Sequence, residues 1–391
     1  MWIYLICFAI SCLLFKISEF VKSRIISGLI TVIAVIIPCI LAGLRADTIG
    51  SDVQGYVKPL FDAACTSNSF LQYQNMEWMG EWRYIYVHEF EIGFTLVVYI
   101  IAKIFKNINI LLFIIEILII APFYKGLSYF KKELPMWLCM IIFYLMSYNI
   151  TLNMIRQWIA MALLFYGFKY IIKRNIYKFI FIVLVAMSFH NTAIIGMIFY
   201  FLYVFIYSEK NKKVEKNIKI LTSQKKIIHL KNLKQIKKIF LISILCCLPL
   251  VGLPYVIQLL NNIGLSEYIG YINGNVNLLI NQIILRLPFI IFIILNWTKY
   301  SEKYNLAPMF LMMMVIDLLL SQLGSITSNS WRIASYFSMF DCLSYCSICE
   351  FSEKKIVKIS LKIMLIIYLI TYWIYQFVIL GNHQTIPYLV G

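Results

Sequence analysis

The sequence predicts an all-α protein that lives in a membrane: a polytopic bundle of about twelve transmembrane helices with one further re-entrant or interfacial segment. Three observations carry that expectation. Of 391 residues, 62% are apolar and only 14% charged, whereas soluble domains run near half apolar and about a quarter charged. Apolar runs of roughly 17 to 25 residues, the length a helix needs to cross about 30 Å of hydrocarbon, recur from end to end. The Lys and Arg residues fall in short stretches between those runs, as the positive-inside bias requires. Topology therefore accounts for the net charge of +17, and no nucleic-acid partner is expected.

Apolar runs bounded by charge place helices at 1–15, 25–44, 108–124, 135–151, 153–172, 177–190, 192–207, 239–260, 281–297, 306–322, 333–350 and 360–380. The first run has neither a basic n-region nor a small-x-small cleavage site, so it reads as a retained helix and not as a removed signal. Segment 90–105 decides the topology. If it crosses, every later loop inverts and the basic loops are divided between the two sides. If it dips or lies along the interface, most of the 35 Lys and Arg share the cytoplasmic side and both termini lie outside. On this reading residues 1–391 form a single polytopic membrane domain with an external loop at 45–90 and a cytoplasmic Lys-rich loop at 208–238. The latter sets eleven lysines against Glu209 and Glu215 and suits anionic lipid headgroups.

The external loop is acidic and aromatic, with Asp47, Asp52, Asp62, Glu77, Glu81 and Glu89 against Arg45, Lys58 and Arg83. Carboxylates suit sugar hydroxyls, and Trp and Tyr suit sugar ring faces. The ten cysteines are scattered, mostly in apolar runs, and predict no disulfide framework. Cys342, Cys346 and Cys349 share a helical face and read as packing residues. His88, His229 and His383 have no matching Cys or carboxylate spacing, so no metal site is expected. With no P-loop, dinucleotide-binding glycine pattern or nucleophile elbow, no cofactor is expected either.

Charges at the ends of apolar runs carry the chemistry. Arg45 ends the second run, Arg156 lies one turn inside the fifth, His190 ends the sixth, Arg286 lies inside the ninth and Arg332 opens the eleventh. A charge at membrane depth costs about 2.5 to 3.5 kcal/mol, so it faces a cavity or a partner. One such arginine reads equally well as a snorkelling anchor. Four from separate runs suit phosphate oxygens, because the planar forks of several arginines hold a diphosphate. Asp47 and Asp52 follow directly on Arg45, where a carboxylate accepts the proton of an attacking hydroxyl; the competing reading is an Asx-turn. His190, with an ordinary pKa near 6.5, is the second candidate base, against a structural interfacial histidine.

Leu44-Arg-Ala-Asp-Thr-Ile-Gly-Ser-Asp52 with Gly55-Tyr56, Glu89-Phe-Glu91-Ile-Gly-Phe94, Asn153-Met-Ile-Arg156-Gln157-Trp-Ile-Ala160, Ser188-Phe-His190-Asn-Thr-Ala193 and the late Arg332 with Tyr336-Phe337 resemble, in order and rough spacing over about residues 25 to 350, the EpsG-type members of the Wzy polysaccharide polymerases. Where that family usually carries acidic-Pro-Gly-Phe, this chain has Glu91-Ile-Gly-Phe94. The resemblance implies a multi-pass glycosyltransferase of the bacterial inner membrane, similar to GT-C-like enzymes whose catalytic carboxylate lies in an early external loop. It implies inverting transfer between undecaprenyl-diphosphate-linked oligosaccharide repeat units at the outer face, making an O-antigen or capsule. Asp52 and His190 are then the catalytic residues, Arg45, Arg156, Arg332 and Arg286 hold the diphosphate, and Asp47, Tyr56, Glu89, Glu91 and Gln157 bind glycan. Membrane lipid, a chain-length regulator and a flippase are the implied partners. The alternatives are a lipid-linked oligosaccharide flippase, disfavoured by the lack of internal symmetry, an O-antigen ligase with the same pocket and another acceptor, and a membrane O-acyltransferase using His190.

Overall fold

A chain in lipid must satisfy its backbone donors and acceptors internally, which a helix does within one segment. The computed structural model, which describes residues 1–80, 83–207, 235–244, 278–325 and 331–391, is accordingly almost wholly helical. The chain divides into two units, Met1–Met197 with Lys362–Gly391, and Ile198–Leu361.

In the first unit α1 (Trp2–Phe20) and α2 (Arg24–Gly43) form a hairpin. The segment after it folds into a π-turn at Val53–Val57, α3 (Lys58–Thr66), α4 (Phe70–Gln74) and a two-stranded antiparallel ribbon, β1 (Glu77–Met79) with β2 (Tyr84–Tyr86). Then come α5 (Ile92–Phe105), α6 (Ile108–Leu127), α7 (Met136–Thr151, with a π-turn at Tyr144–Tyr148), α8 (Ile155–Ile172), α9 (Ile176–Met187) and the start of α10 (Gly196–Tyr207). The α1–α2 hairpin packs on α6 and α7, α6 packs on α8, and α8 on α9. Aromatic rings fill the interior: Phe123 stacks between Phe143, at 4.4 Å, and Phe165, at 4.5 Å. Two backbone carbonyls of α2 show how polar atoms in this interior find partners. Pro38 inside α2 has no N–H and leaves the Ala34 carbonyl without its helical partner. The buried Ser11 hydroxyl of α1 donates to that carbonyl at 2.7 Å, and Tyr148 of α7 donates to the Pro38 carbonyl at 2.6 Å.

The second unit holds α11 (Ile280–Leu295), α12 (Trp297–Lys303), α13 (Ala307–Ser321), α14 (Trp331–Ser338) and α15 (Asp341–Glu350). It also takes the first residues of α16 (Lys355–Trp373), whose residues from Lys362 onward belong to the first unit. Phe289 of α11 stacks on Tyr345 of α15 at 3.9 Å, and Cys342, Cys346 and Cys349 are buried packing residues. A buried ion pair joins Arg286 of α11 and Asp317 of α13. The guanidinium forks onto both carboxylate oxygens and onto the Gln282 side chain, with Arg286 6% and Asp317 0% exposed.

Among the described residues, four helices are long and apolar enough to cross a membrane, Trp2–Phe20, Arg24–Gly43, Ile108–Phe130 and Lys355–Ile379, and a fifth span results if α11 and α12, which meet at 88°, are taken as one. Shorter apolar helices occupy several of the other expected runs, and most of 239–260 lies outside the described residues. The run expected at 333–350 is two helices, α14 ending at Ser338 and α15 beginning at Asp341. The 14-residue α5, at about 1.5 Å per residue, spans roughly 21 Å, short of the hydrocarbon thickness.

Replacing Asp317 by Ala strands a buried guanidinium and is expected to lower stability by about 3 to 5 kcal/mol. Replacing the pair together, Arg286→Met with Asp317→Leu, recovers most of that loss. Thermal unfolding in detergent reads both, and equal melting temperatures for the single and double variants would count against the pairing.

Candidate functional site

The site is assembled where three loops meet the start of α8. The first is the segment after α2. Arg45 pairs with Val390 in an isolated antiparallel bridge, flanked by Ala46 N–H to Leu389 C=O at 2.8 Å and Gly391 N–H to Leu44 C=O at 3.0 Å. Gly50 then passes against the 152–154 turn in a left-handed conformation, φ +89, and a Cβ there would lie 2.6 Å from the Leu152 carbonyl oxygen. Only glycine fits both demands. The close approach lets Asn153 Oδ1 accept from the Ser51 hydroxyl at 2.8 Å and from the Asp52 N–H at 3.1 Å.

Asp52 is thereby held at the head of α8. Its Oδ2 accepts from the Ile155 N–H at 3.3 Å and from the Tyr56 hydroxyl at 2.5 Å. Ile155 is the first residue of α8, and Met154, its neighbour in the chain, offers no side-chain cap. A carboxylate from a distant loop thus takes the place of a cap, favoured by the unpaired N–H groups and dipole of the helix start.

The second loop brings Glu91. At φ −61, ψ 136 it is extended, and α5 begins at Ile92. The helix therefore starts without the proline expected at 92, whose main service at a first helical position is to preset φ. Gly93 permits contact with the third loop: its N–H donates to the Ser188 carbonyl at 2.8 Å, and an added Cβ would sit 2.4 Å from Ser188 Oγ and 2.7 Å from Ser188 O. Glu91 lands between a guanidinium and an imidazole. One oxygen pairs with Arg156 Nη1, and the other accepts from His190 Nδ1 and from the Asn191 N–H, both at 3.1 Å. Arg156 also lies over the rings of Tyr56, at 4.7 Å, and Phe90, at 4.8 Å, where the π faces attract a cation. Burial works to raise the Glu91 pKa, but His190, Arg156 and backbone donors outweigh it and hold the carboxyl down at about 2. Because His190 Nδ1 faces a carboxylate it carries the proton, and in the neutral ring Nε2 is the acceptor.

Of the residues singled out from the sequence, the structure gathers Asp52, Tyr56, Glu91, Arg156 and His190 into one cluster. Asp47 is paired with Lys58, and Glu89 is gripped by both terminal nitrogens of Arg83, at 2.8 and 2.6 Å. Gln157 is buried in α8 at 5% exposure. Arg45 is buried at 1% exposure. Its Nη2 donates to Leu152 O at 3.3 Å, while Nε and Nη1 have no hydrogen-bond partner among the described residues. Arg286 is engaged by Asp317, and Arg332 is exposed on α14 of the second unit. Two residues were missed. Asn153 was only part of a motif, and His383, which lacks any metal-type spacing, reaches Asn153 from the C-terminal segment, Nδ1 to Nδ2, at 3.2 Å.

A membrane protein that pairs and orients its carboxylates, arginine and histidine at helix ends belongs among helical membrane proteins with a built polar centre. The chain matches the EpsG family over residues 28–390, essentially its whole length, and belongs to that family of Wzy-type polymerases. No curated protein and no solved structure shows significant similarity to it.

The depressed Glu91 pKa has a pH signature. The stability it contributes is full above the ordinary value of 4.5 and is lost as pH falls through about 2. The gap in melting temperature between the wild type and Glu91→Gln should be wide at neutral pH and close as pH falls below 4.5. A gap that holds constant into acid would show that the Glu91 charge is not what stabilises the cluster.

Proposed function

We propose that this protein polymerises undecaprenyl-diphosphate-linked oligosaccharide repeat units into a bacterial surface polysaccharide, O-antigen or capsule, at the outer face of the inner membrane. About twelve crossings put loop 45–90 outside and loop 208–238 inside. The observation that carries this reading is the meeting of Asp52 and Arg156 at the head of α8 across the Tyr56 ring, whose hydroxyl bonds the one and whose face the other covers.

In the proposed step the acceptor sugar hydroxyl gives its proton to Asp52 and its oxygen bonds to the anomeric carbon of the donor. The bond from that carbon to the diphosphate breaks on the opposite face, inverting the centre, and the electron pair leaves with the undecaprenyl diphosphate. Arg156 stabilises the charge that appears there. Glu91 fixes one edge of its guanidinium, and Nε is buried with no hydrogen-bond partner among the described residues, a donor that a phosphate oxygen would satisfy. Arg45, with two donors in the same condition, supports it. Arg286 is already neutralised by Asp317 and has no part in the step. Arg332 keeps its role on the strength of the sequence resemblance. His190, oriented by Glu91 with Nε2 able to accept a proton, is the second base. Tyr56 and the loop aromatics take sugar ring faces. A chain-length regulator and a flippase are the partners such a polymerase needs.

Asp52→Asn and Arg156→Ala, made singly in the native host, are each expected to cut polymerisation at least about a hundredfold and leave single repeats in place of a ladder. Arg156→Lys should not rescue, since an ammonium lacks the planar fork. Full-length ladders from both Asp52→Asn and Arg156→Ala would overturn the reading.

A further inference from the structure

The C-terminal segment is threaded into the first unit on both sides of His383. Before it, Trp373 Nε1 donates to Asn149 Oδ1 at 2.7 Å. After it, Thr385 accepts from Asn149 Nδ2 at 2.9 Å and from the Tyr4 hydroxyl at 2.8 Å, and Tyr388 donates to the Leu41 carbonyl at 2.8 Å. Between these ties His383 and Gln384 both adopt left-handed backbone conformations, φ +66 and +52, which residues other than glycine seldom adopt unless the surroundings impose them.

We infer that His383 is a positioning residue which, through Asn153, sets the Asp52 backbone and so aims its carboxylate; the inference rests on the reading of Asp52 as the base. The atoms leave one assignment. The Asp52 N–H can only donate, so the Asn153 atom 3.1 Å from it is the amide oxygen, which also accepts from Ser51. Asn153 Nδ2 is then the donor toward His383 Nδ1, 3.2 Å away, and Nδ1 is an acceptor bearing no proton. The imidazole therefore does what no hydrophobic or donor side chain does: it holds the amide in the flip state whose oxygen faces the Asp52 loop. Removing the acceptor frees the amide to turn, and an amide turned over presents its NH2 to the Ser51 and Asp52 donors. The same tail strand, Leu389 to Gly391, pairs with Leu44 to Ala46 at the other end of the loop, so the C-terminal segment holds the Asp52 loop at both its ends.

Two substitutions separate the acceptor from the backbone. Asn places its side-chain oxygen near the position of Nδ1 and tolerates φ above zero, whereas Gly tolerates the same backbone and offers no acceptor. Polymerisation is measured in membranes with the lipid-linked repeat unit, per molecule of protein. His383→Gly is expected to lose between about tenfold and a hundredfold and His383→Asn to stay within about threefold of the wild type, since small misplacements of a reacting group carry losses of that order. Hydrogen exchange of residues 47–57 in the solubilised full chain should quicken in His383→Gly and not in His383→Asn. If His383→Gly does not accumulate, His383→Leu, which fills the space without an acceptor, takes its place under the same criteria. Wild-type rate and exchange in His383→Gly, or equal impairment in His383→Asn, would overturn the inference. Asp52→Asn, run alongside, tells the two readings apart: if it polymerises normally, the assignment of Asp52 as base fails first.

Discussion

The Glu91 carboxylate holds the site together. A guanidinium enclosed by apolar helices costs several kcal/mol unless an anion meets it, and Glu91 meets Arg156 with one oxygen while the other accepts from the His190 ring. The remaining features of the site follow from this contact. It requires the start of α5 to touch the end of α9, which is why Gly93 lies against the Ser188 backbone with no room for a Cβ. It leaves Arg156 beside the neighbouring rings of Tyr56 and Phe90. It also fixes the His190 tautomer, since a carboxylate at Nδ1 demands a proton there.

The same constraint is met at two places away from the site. The Ala34 carbonyl freed by Pro38 is met by Ser11, and Arg286 is met by Asp317. Each contact joins two helices at a single relative height. Apolar surfaces slide over one another at little cost, whereas a hydrogen bond in an apolar interior has one register. These few polar pairs set helix positions that packing alone leaves loose.

Much of this was legible in the sequence, and the reasons differ by element. Hydropathy located α1, α2, α6, α8 and α9 to within a few residues, because the length of an apolar run is a one-dimensional property. The motifs containing Asp52, Tyr56, Glu91, Arg156 and His190 pointed to residues that the structure brings together, because charges at the ends of apolar runs are costly and therefore conspicuous. What partners each charge was not legible. Glu91 was read as a glycan ligand, while the structure gives both its oxygens to Arg156, His190 and a backbone N–H. Nothing local distinguishes a carboxylate that binds substrate from one that holds a cation. Arg286 looked like a phosphate ligand for the same reason, since Asp317 is remote in sequence. The break before Asp341 falls inside a single expected run, where the polar residue at the junction was the signal, and the bend at Asn296 falls at the end of one, where the polar stretch that follows gave no sign of a further helix. His383 gave none, because its partner comes from the far end of the chain.

The surroundings of Asp52 bear on how the proposed reaction divides its work. Two donors, the Ile155 N–H and the Tyr56 hydroxyl, already bond one carboxylate oxygen, and donors favour the ionised form. Donors that hold the carboxylate oxygen make it a weaker proton acceptor. A weak base serves when the bond to the leaving group breaks ahead of proton removal, because the attacking hydroxyl grows acidic only as its oxygen bonds to carbon. The burden then shifts to stabilising the departing diphosphate. In this site that falls to Arg156, which Glu91 orients and does not wholly satisfy. On this division of labour a stronger base at position 52 would gain little, and a displaced guanidinium would lose most of the rate.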